Sequence, residues 1–233
     1  MRVVTAAAGT GFAPDARSLH ALLPRLLDAY GPQHWWPGDS PFEVMVGAVL
    51  TQNTAWSNVE RAIDSIKAAN VLSPESIAAL SHERLAALIR PAGYFNVKAT
   101  RLQSLCRFLL EAGGEPALAD TPTETLRARL LAVHGVGPET ADDILLYAFG
   151  RPVFVIDAYT RRLFGRLGLA SGHESYEELR AGVESAIGAD AAAFNELHAL
   201  VVHHAKVACA KTPRCAGCCL RQICPSGRLP SPG

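Results

Sequence analysis

The chain has 233 residues, enough for one large or two small domains with a real core. It carries 22 basic and 22 acidic residues, so net charge alone gives no argument for a polyanionic partner. Nearly half the residues (49%) are hydrophobic, yet no run reaches the roughly 18 to 20 apolar residues of a membrane span, and no secretory cleavage pattern is present, which predicts a cytoplasmic protein.

In chain order, residues 1–14 read as a flexible leader. Leu19, Leu22, Leu23, Leu26 and Leu27 then share one helical face. His34-Trp35-Trp36-Pro37-Gly38-Asp39-Ser40-Pro41 lacks helical period and reads as a loop. A tandem tryptophan in a loop suits a contact surface, though a core role is open to each indole alone. Phe42 to Leu50 and Val59 to Ile66 form further apolar faces. Ser-Pro at Ser40 and Ser73, and Thr-Pro at Thr121, mark helix starts, because Ser or Thr caps and Pro fits the first turn. Cys106, set among Leu102, Leu105 and Leu109, reads as a core thiol.

Residues 126–162 carry the most information. A helix over Leu126–Val133 meets His134-Gly135-Val136-Gly137 and a second helix over Pro138–Phe149. Gly137 fits the N-cap and Pro138 the first helical position. Free N–H groups at such a start can hold a phosphate oxygen without side-chain charge, positioning a protein on DNA without reading sequence. A tight turn between two helices explains the glycines equally well. The apolar stretch Arg151–Ile156 follows, and then Asp157, placed to cap the next helix.

Beyond Ala199 the chain holds Lys206, Lys211, Arg214, Arg221 and Arg228 with no acidic residue, either a basic face for phosphate or a solvated tail. Five of the six cysteines lie between Cys209 and Cys224. Cys209, Cys215, Cys218 and Cys224 give C-x5-C-x2-C-x5-C, a spacing that wraps one compact metal centre, whether four-cysteine zinc or an iron–sulfur cluster. Cys219 competes with Cys218 as third ligand, and spacing favours Cys218.

Hairpin, extended link and aspartate together resemble the helix-hairpin-helix DNA glycosylases related to endonuclease III. The stretches Trp36-Pro37, Phe42–Trp56 and Arg90–Ala99 resemble the 3-methyladenine DNA glycosylase branch of that superfamily, and the likeness runs from about Leu19 to Lys206. The resemblance implies an all-α, two-lobed fold: residues 41–150 as a six-helix barrel domain bearing the hairpin, residues 15–40 plus 151–224 as an iron–sulfur cluster domain, and 225–233 as a tail. It implies that DNA lies across a cleft between the lobes. Gly135, Val136 and Gly137 would grip DNA backbone, and Asp157 would be essential to chemistry. Trp36, Pro37 and Trp56 would line a pocket for an extruded base, with Lys206 in the active site. Gln52 would fill the gap left by the flipped nucleotide, and Tyr94 would wedge into the opposite strand.

Bifunctional members carry a lysine where Glu139 stands, and a glutamate cannot form a Schiff base. The resemblance therefore implies a monofunctional N-glycosylase for alkylated purines, with double-stranded damaged DNA as partner and a monomeric, nucleoid-associated state if the source is bacterial. Its closing cysteines imply a structural [4Fe–4S] cluster, although the first ligand gap is one residue shorter than the family's. A bifunctional glycosylase/lyase for oxidised pyrimidines and a non-enzymatic damaged-DNA-binding protein are the alternatives.

Overall fold

The computed structural model describes residues 14–228. The expected leader thus lies, except for Pro14, outside the described residues, as do residues 229–233 of the expected tail. The protein is all-α: among the described residues there are thirteen α-helical segments and no strand. The chain divides into two compact units. One comprises residues 34–155 and the other residues up to 33 together with 156 onward.

The unit of residues 34–155 holds α2 (Pro41–Leu50), α3 (Trp56–Ala68), α4 (Pro74–Ala79), α5 (His82–Leu88), α6 (Phe95–Glu111), α7 (Gly114–Ala119), α8 (Thr123–Leu131) and α9 (Pro138–Asp143). That is eight segments where six were expected, because α4, α5 and α7 are helices of only one to two turns. The capping signals act as chemistry requires. Ser40 Oγ accepts from Glu43 N at 3.2 Å and Ser73 Oγ accepts from Ser76 N at 3.1 Å, each before a proline in the first turn. Thr121 departs from this pattern: Pro122 takes the N-cap position of α8 and no side chain caps it. Helix α2 is apolar around its whole circumference and nine of its residues are buried, so the other helices pack around it. Met45, Val49, Ile66, Leu102, Leu105 and Ile144 are fully buried in that core. Cys106 joins them, and burial pushes its thiol pKa up to about 12.

The other unit holds α1 (Ala16–Tyr30), α10 (Ala158–Leu167), α11 (Tyr176–Ile187), α12 (Ala191–Val207) and α13 (Pro225–Arg228). Asp15 caps α1, whose Leu19, Leu22 and Leu26 are buried as the sequence period requires. Burying each of these leucines contributes about 1.5–3 kcal/mol. Helix α12 packs against α1 and α10. Pro225–Arg228, expected to belong to a tail, instead forms α13 against α10, because Gly227 is buried and its N–H closes a turn on Cys224 O at 3.1 Å. His34–Ser40, read with this unit from sequence, belong to the other, because Trp36 packs against residues of α2, α3 and the segment after α9.

Candidate functional site

The predicted residues fall on both units, and each set takes its geometry from its own unit. In residues 34–155, the hairpin joins α8 to α9 through His134–Gly137. Gly135 has φ +87°, and a Cβ there would stand 2.1 Å from Arg101 Cγ, so both backbone and space demand glycine. Gly137 has an extended backbone with nothing within 4 Å of where a Cβ would sit, which leaves that side of the α9 start open. Val136 buries its side chain and can offer an outside partner only its backbone. Behind the turn, Arg127 on α8 donates to Asp142 on α9 through Nε at 2.7 Å and NH2 at 3.1 Å, a buried bidentate pair that locks the two helices. Glu139 is exposed in the first turn of α9.

Gln52 is committed to this hairpin. Its Nε2 donates to Gly135 O at 3.2 Å and Thr140 Oγ1 at 2.9 Å, and its Oε1 accepts from Arg101. The neighbouring Asn53 is exposed and left-handed, with φ +54°. Tyr94, also left-handed at φ +45°, is 73% exposed ahead of α6. Between these two turns lies Lys98, almost wholly buried, whose Nζ donates to Leu50 O, Thr54 Oγ1 and Ala92 O at 2.8 Å each. Burial, then the nearby Arg101 charge, lowers its pKa to about 8.

The three tryptophans gather on this unit. Ring centroids lie 4.8 Å apart for Trp35 and Trp56, 5.2 Å for Trp36 and Trp56, and 5.3 Å for Trp35 and Trp36. Edge-on and tilted packing of this kind lets ring faces and edges attract. Pro37 and Trp56 line an open cleft with Glu60, Ile63, Asp64 and Lys67. A fourth ring, Tyr147, lies 5.1 Å from Trp36 and was not legible in the sequence. It stands on a wide π turn, Ile144–Ala148, that ends the helical run begun by α9, and such turns leave no compositional mark.

On the other unit Asp157 caps α10, its Oδ1 accepting from Thr160 N at 2.6 Å. Its Oδ2 lies 3.8 Å from Nε2 of buried His198 on α12, a neighbour that no sequence spacing announced. Burial raises the carboxyl pKa, but His198 and the Thr160 N–H outweigh it and hold Asp157 below the usual carboxylate value. A carboxylate so held is ionised at neutral pH and faces developing positive charge as an anion. Lys206 is exposed, with its Nζ 5.7 Å from the Tyr159 ring centroid, and Arg162 shares that ring at 5.1 Å.

Cys209, Cys215, Cys218 and Cys224 line one small apolar cavity in this unit, with Leu163 and Leu220. Arg166 NH1 donates to Cys209 Sγ at 3.1 Å, and His204 Nε2 stands 3.6 Å from Cys218 Sγ. Cys219 does not line the cavity; its Sγ lies 3.9 Å from both Tyr30 Oη and His204 Nδ1. Among the described residues no three His, Cys, Asp or Glu side chains are grouped so as to hold a metal ion. The donor set still fits a cluster: four thiols face one water-poor space, with cationic Arg166 beside the first.

Comparison with known proteins accords with this geometry. A sequence model of the HhH-GPD superfamily of base excision DNA repair proteins matches residues 46–188. A provisionally named DNA repair glycosylase of Methanocaldococcus jannaschii is 46% identical over 202 residues, covering 85% of this chain and 92% of that one. Endonuclease III of Haemophilus influenzae is 29% identical over 191 residues, covering 80% and 84%. Among solved structures, the 3-methyladenine DNA glycosylase of H. pylori bound to 1,N6-ethenoadenine superposes with a TM-score of 0.70 at 29% identity, covering 82% of this chain and 96% of that one.

Proposed function

The chain belongs to the HhH-GPD superfamily of base excision DNA repair proteins, and from that premise we propose that it is a monofunctional DNA N-glycosylase for alkylated purines of the 3-methyladenine type. The observation that carries the substrate class is the ring cluster around Trp36. A methylated purine nucleotide carries positive charge on the base, and an indole face attracts such a cation by about 0.5 to 2 kcal/mol. The base leaves neutral, so the reaction needs recognition and stabilisation of the sugar more than a general acid.

Asp157 supplies the second requirement. Its anionic carboxylate stabilises the oxocarbenium-like sugar and orients or deprotonates the attacking water. Glu139 stands where a lyase lysine would stand, and the buried Nζ of Lys98 is spent on three acceptors, which supports hydrolysis without strand cleavage. The backbone of Gly135–Gly137 holds DNA phosphate, and Tyr94 wedges into the strand opposite the lesion. Gln52, whose amide is held by the hairpin, and exposed Asn53 beside it enter the gap left by the flipped nucleotide. Cys209, Cys215, Cys218 and Cys224 would hold a [4Fe–4S] cluster, which would knit the C-terminal loop together and present exposed Lys211 and Arg214 to phosphate. A cytoplasmic monomer acting on duplex DNA matches this reading.

The test is base release from methylated duplex DNA, with Asp157→Asn alongside and strand breaks scored before and after alkali. Release of methylated adenine by the wild type alone, with breaks only after alkali, is expected. The likeness to endonuclease III favours the second reading, a glycosylase/lyase for oxidised pyrimidines. Covalent trapping of protein on DNA by borohydride would establish that reading instead. A brown protein is expected from the cluster, and a colourless zinc protein would overturn it.

A further inference from the structure

The plane of Trp36 is set by three neighbours, of which Tyr147 lies outside the stretches that brought the indole to notice. Its indole lies so close to α2 that a Cβ on Gly47 would stand 3.0 Å from Nε1 and 3.1 Å from Cζ2. Gly47 sits inside an α-helix with eight buried neighbours on the same helix, so its lack of a side chain has no role in backbone freedom there. The space it leaves is filled by the ring. Trp56 meets the indole in a T-shaped arrangement at 88°, which holds a second side. Tyr147 holds a third, its ring tilted 53° to Trp36 at 5.1 Å.

Tyr147 reaches that position through the π turn. Phe149 N closes on Ile144 O at 3.2 Å, five residues back rather than four. The extra residue turns the side chains near the end of the segment by up to about 100° relative to an uninterrupted α-helix. Ile144, Leu145 and Leu146 remain buried in the core, whereas Tyr147 is half-buried against Trp36. A helix that widens to bring an aromatic ring against another aromatic ring spends regular hydrogen bonding on the placement of that ring.

We propose that Gly47 and Tyr147 are positioning residues that fix the plane of Trp36, and that this plane sets a preference for cationic over neutral alkylated purines. The inference rests on the functional reading above and names the device behind its selectivity. Attraction between a cation and a π face depends on the cation lying over the ring. Stacking of a neutral base tolerates offset and tilted arrangements. Rotating the indole therefore weakens capture of a cationic base more than capture of a neutral one.

The test compares kcat/KM for two duplexes, one holding cationic 7-methylguanine and one holding neutral 1,N6-ethenoadenine, using the full chain. Tyr147→Leu and Gly47→Ala are expected to lower the cationic-to-neutral ratio by between about 2-fold and 30-fold, the range that corresponds to one cation–π contact. Tyr147→Phe keeps the ring and is expected to keep the ratio. Thermal unfolding of each variant reports folding separately, and because the ratio is taken within one variant, a lower folded fraction cancels. An unchanged ratio in Tyr147→Leu and Gly47→Ala, with both substrates declining together, would overturn this inference alone. Release of neither base by a wild type that still releases methylated adenine would overturn this inference alone, and release of none of the three would overturn the functional reading with it.

Discussion

Replacing Asp142 by alanine tests how the hairpin is held. Arg127 and Asp142 meet through two hydrogen bonds with side chains 9% and 0% exposed, so the pair has left water almost completely. Removing Asp142 takes its carboxylate from a buried guanidinium, and breaking a buried ion pair costs about 3–5 kcal/mol. For a chain of this size each kcal/mol moves Tm by roughly 2–4 °C, so a fall of about 6–20 °C is expected by circular dichroism. Because the pair joins α8 to α9, affinity for undamaged duplex should fall too, measured by fluorescence anisotropy. Replacing both partners by apolar residues of similar size, Arg127→Met with Asp142→Leu, removes charge and counter-charge together. That double variant should return to within about 1 kcal/mol of the wild type. An Asp142→Ala protein within about 1 kcal/mol of the wild type, or a double variant no better than the single one, would refute the reasoning.

Gly135→Ala places a methyl group into Arg101 at a φ of +87°. It should lower stability by at least about 1 kcal/mol and weaken duplex binding, whereas Gly137→Ala, with open space around it, should change stability by no more than about 0.5 kcal/mol. His198→Phe removes the group that holds Asp157 low while leaving the burial that raises it. The sign follows: the Asp157 pKa rises, the acid limb of the pH–kcat profile moves to higher pH, and the part of stability that Asp157 contributes above its unfolded pKa is lost sooner on acidification. An acid limb unmoved in His198→Phe would contradict the role given to His198. His204 is buried, its pKa lowered to about 4 by burial and then by the charge of His203, so its imidazole is neutral at pH 7. Its Nδ1 shares a hydrogen bond with the Tyr30 hydroxyl at 2.8 Å, and its Nε2 faces Cys218 Sγ at 3.6 Å. If the four cysteines hold the proposed cluster, His204→Phe should shorten the lifetime of its brown colour in air, and an equal lifetime would remove His204 from the support of that centre.

What the sequence disclosed follows the range of the interactions involved. Capping is local, so Ser40, Ser73 and Asp157 could be placed at helix starts from their neighbours alone, and each accepts the expected backbone N–H. The glycine pair of the hairpin was visible for the same reason. The demand on Gly135 was not, because it comes from Arg101, 34 positions earlier in the chain. His198 stands 41 positions beyond Asp157, and only the packing of α12 on α10 brings it near. Gln52 was read as a residue for DNA, yet its amide is engaged by the hairpin, a contact that needs the tertiary fold. Tyr147 escaped notice because periodicity analysis assumes an uninterrupted helix through Ile144–Ala148, and the π turn changes which face each residue occupies.

Lys98 shows why a perturbed pKa must be read with its contacts. A buried lysine with pKa near 8 has the acidity expected of an amine nucleophile, and in a protein of this class it would be the first candidate for Schiff-base chemistry. Its surroundings argue the other way. All three Nζ donor positions are used, by carbonyls at Leu50 and Ala92 and by the Thr54 hydroxyl, so no lone pair is presented while the ammonium is intact. Losing the proton would leave one of those buried acceptors without a donor, at a cost of about 1–3 kcal/mol. The depressed pKa is instead a record of desolvation: between about pH 8 and 10.5 the unfolded chain binds the proton that the folded chain releases, so this group's share of stability rises with pH across that window. What the buried ammonium gains for the molecule is geometry. It ties the end of α2, the turn holding Asn53 and the turn before Tyr94 to one point, and those two turns carry the exposed left-handed residues assigned to the DNA. On the proposed reading, hydrolysis through water, the chain needs rigid turns rather than a reactive amine, and the three hydrogen bonds of Lys98 supply that rigidity.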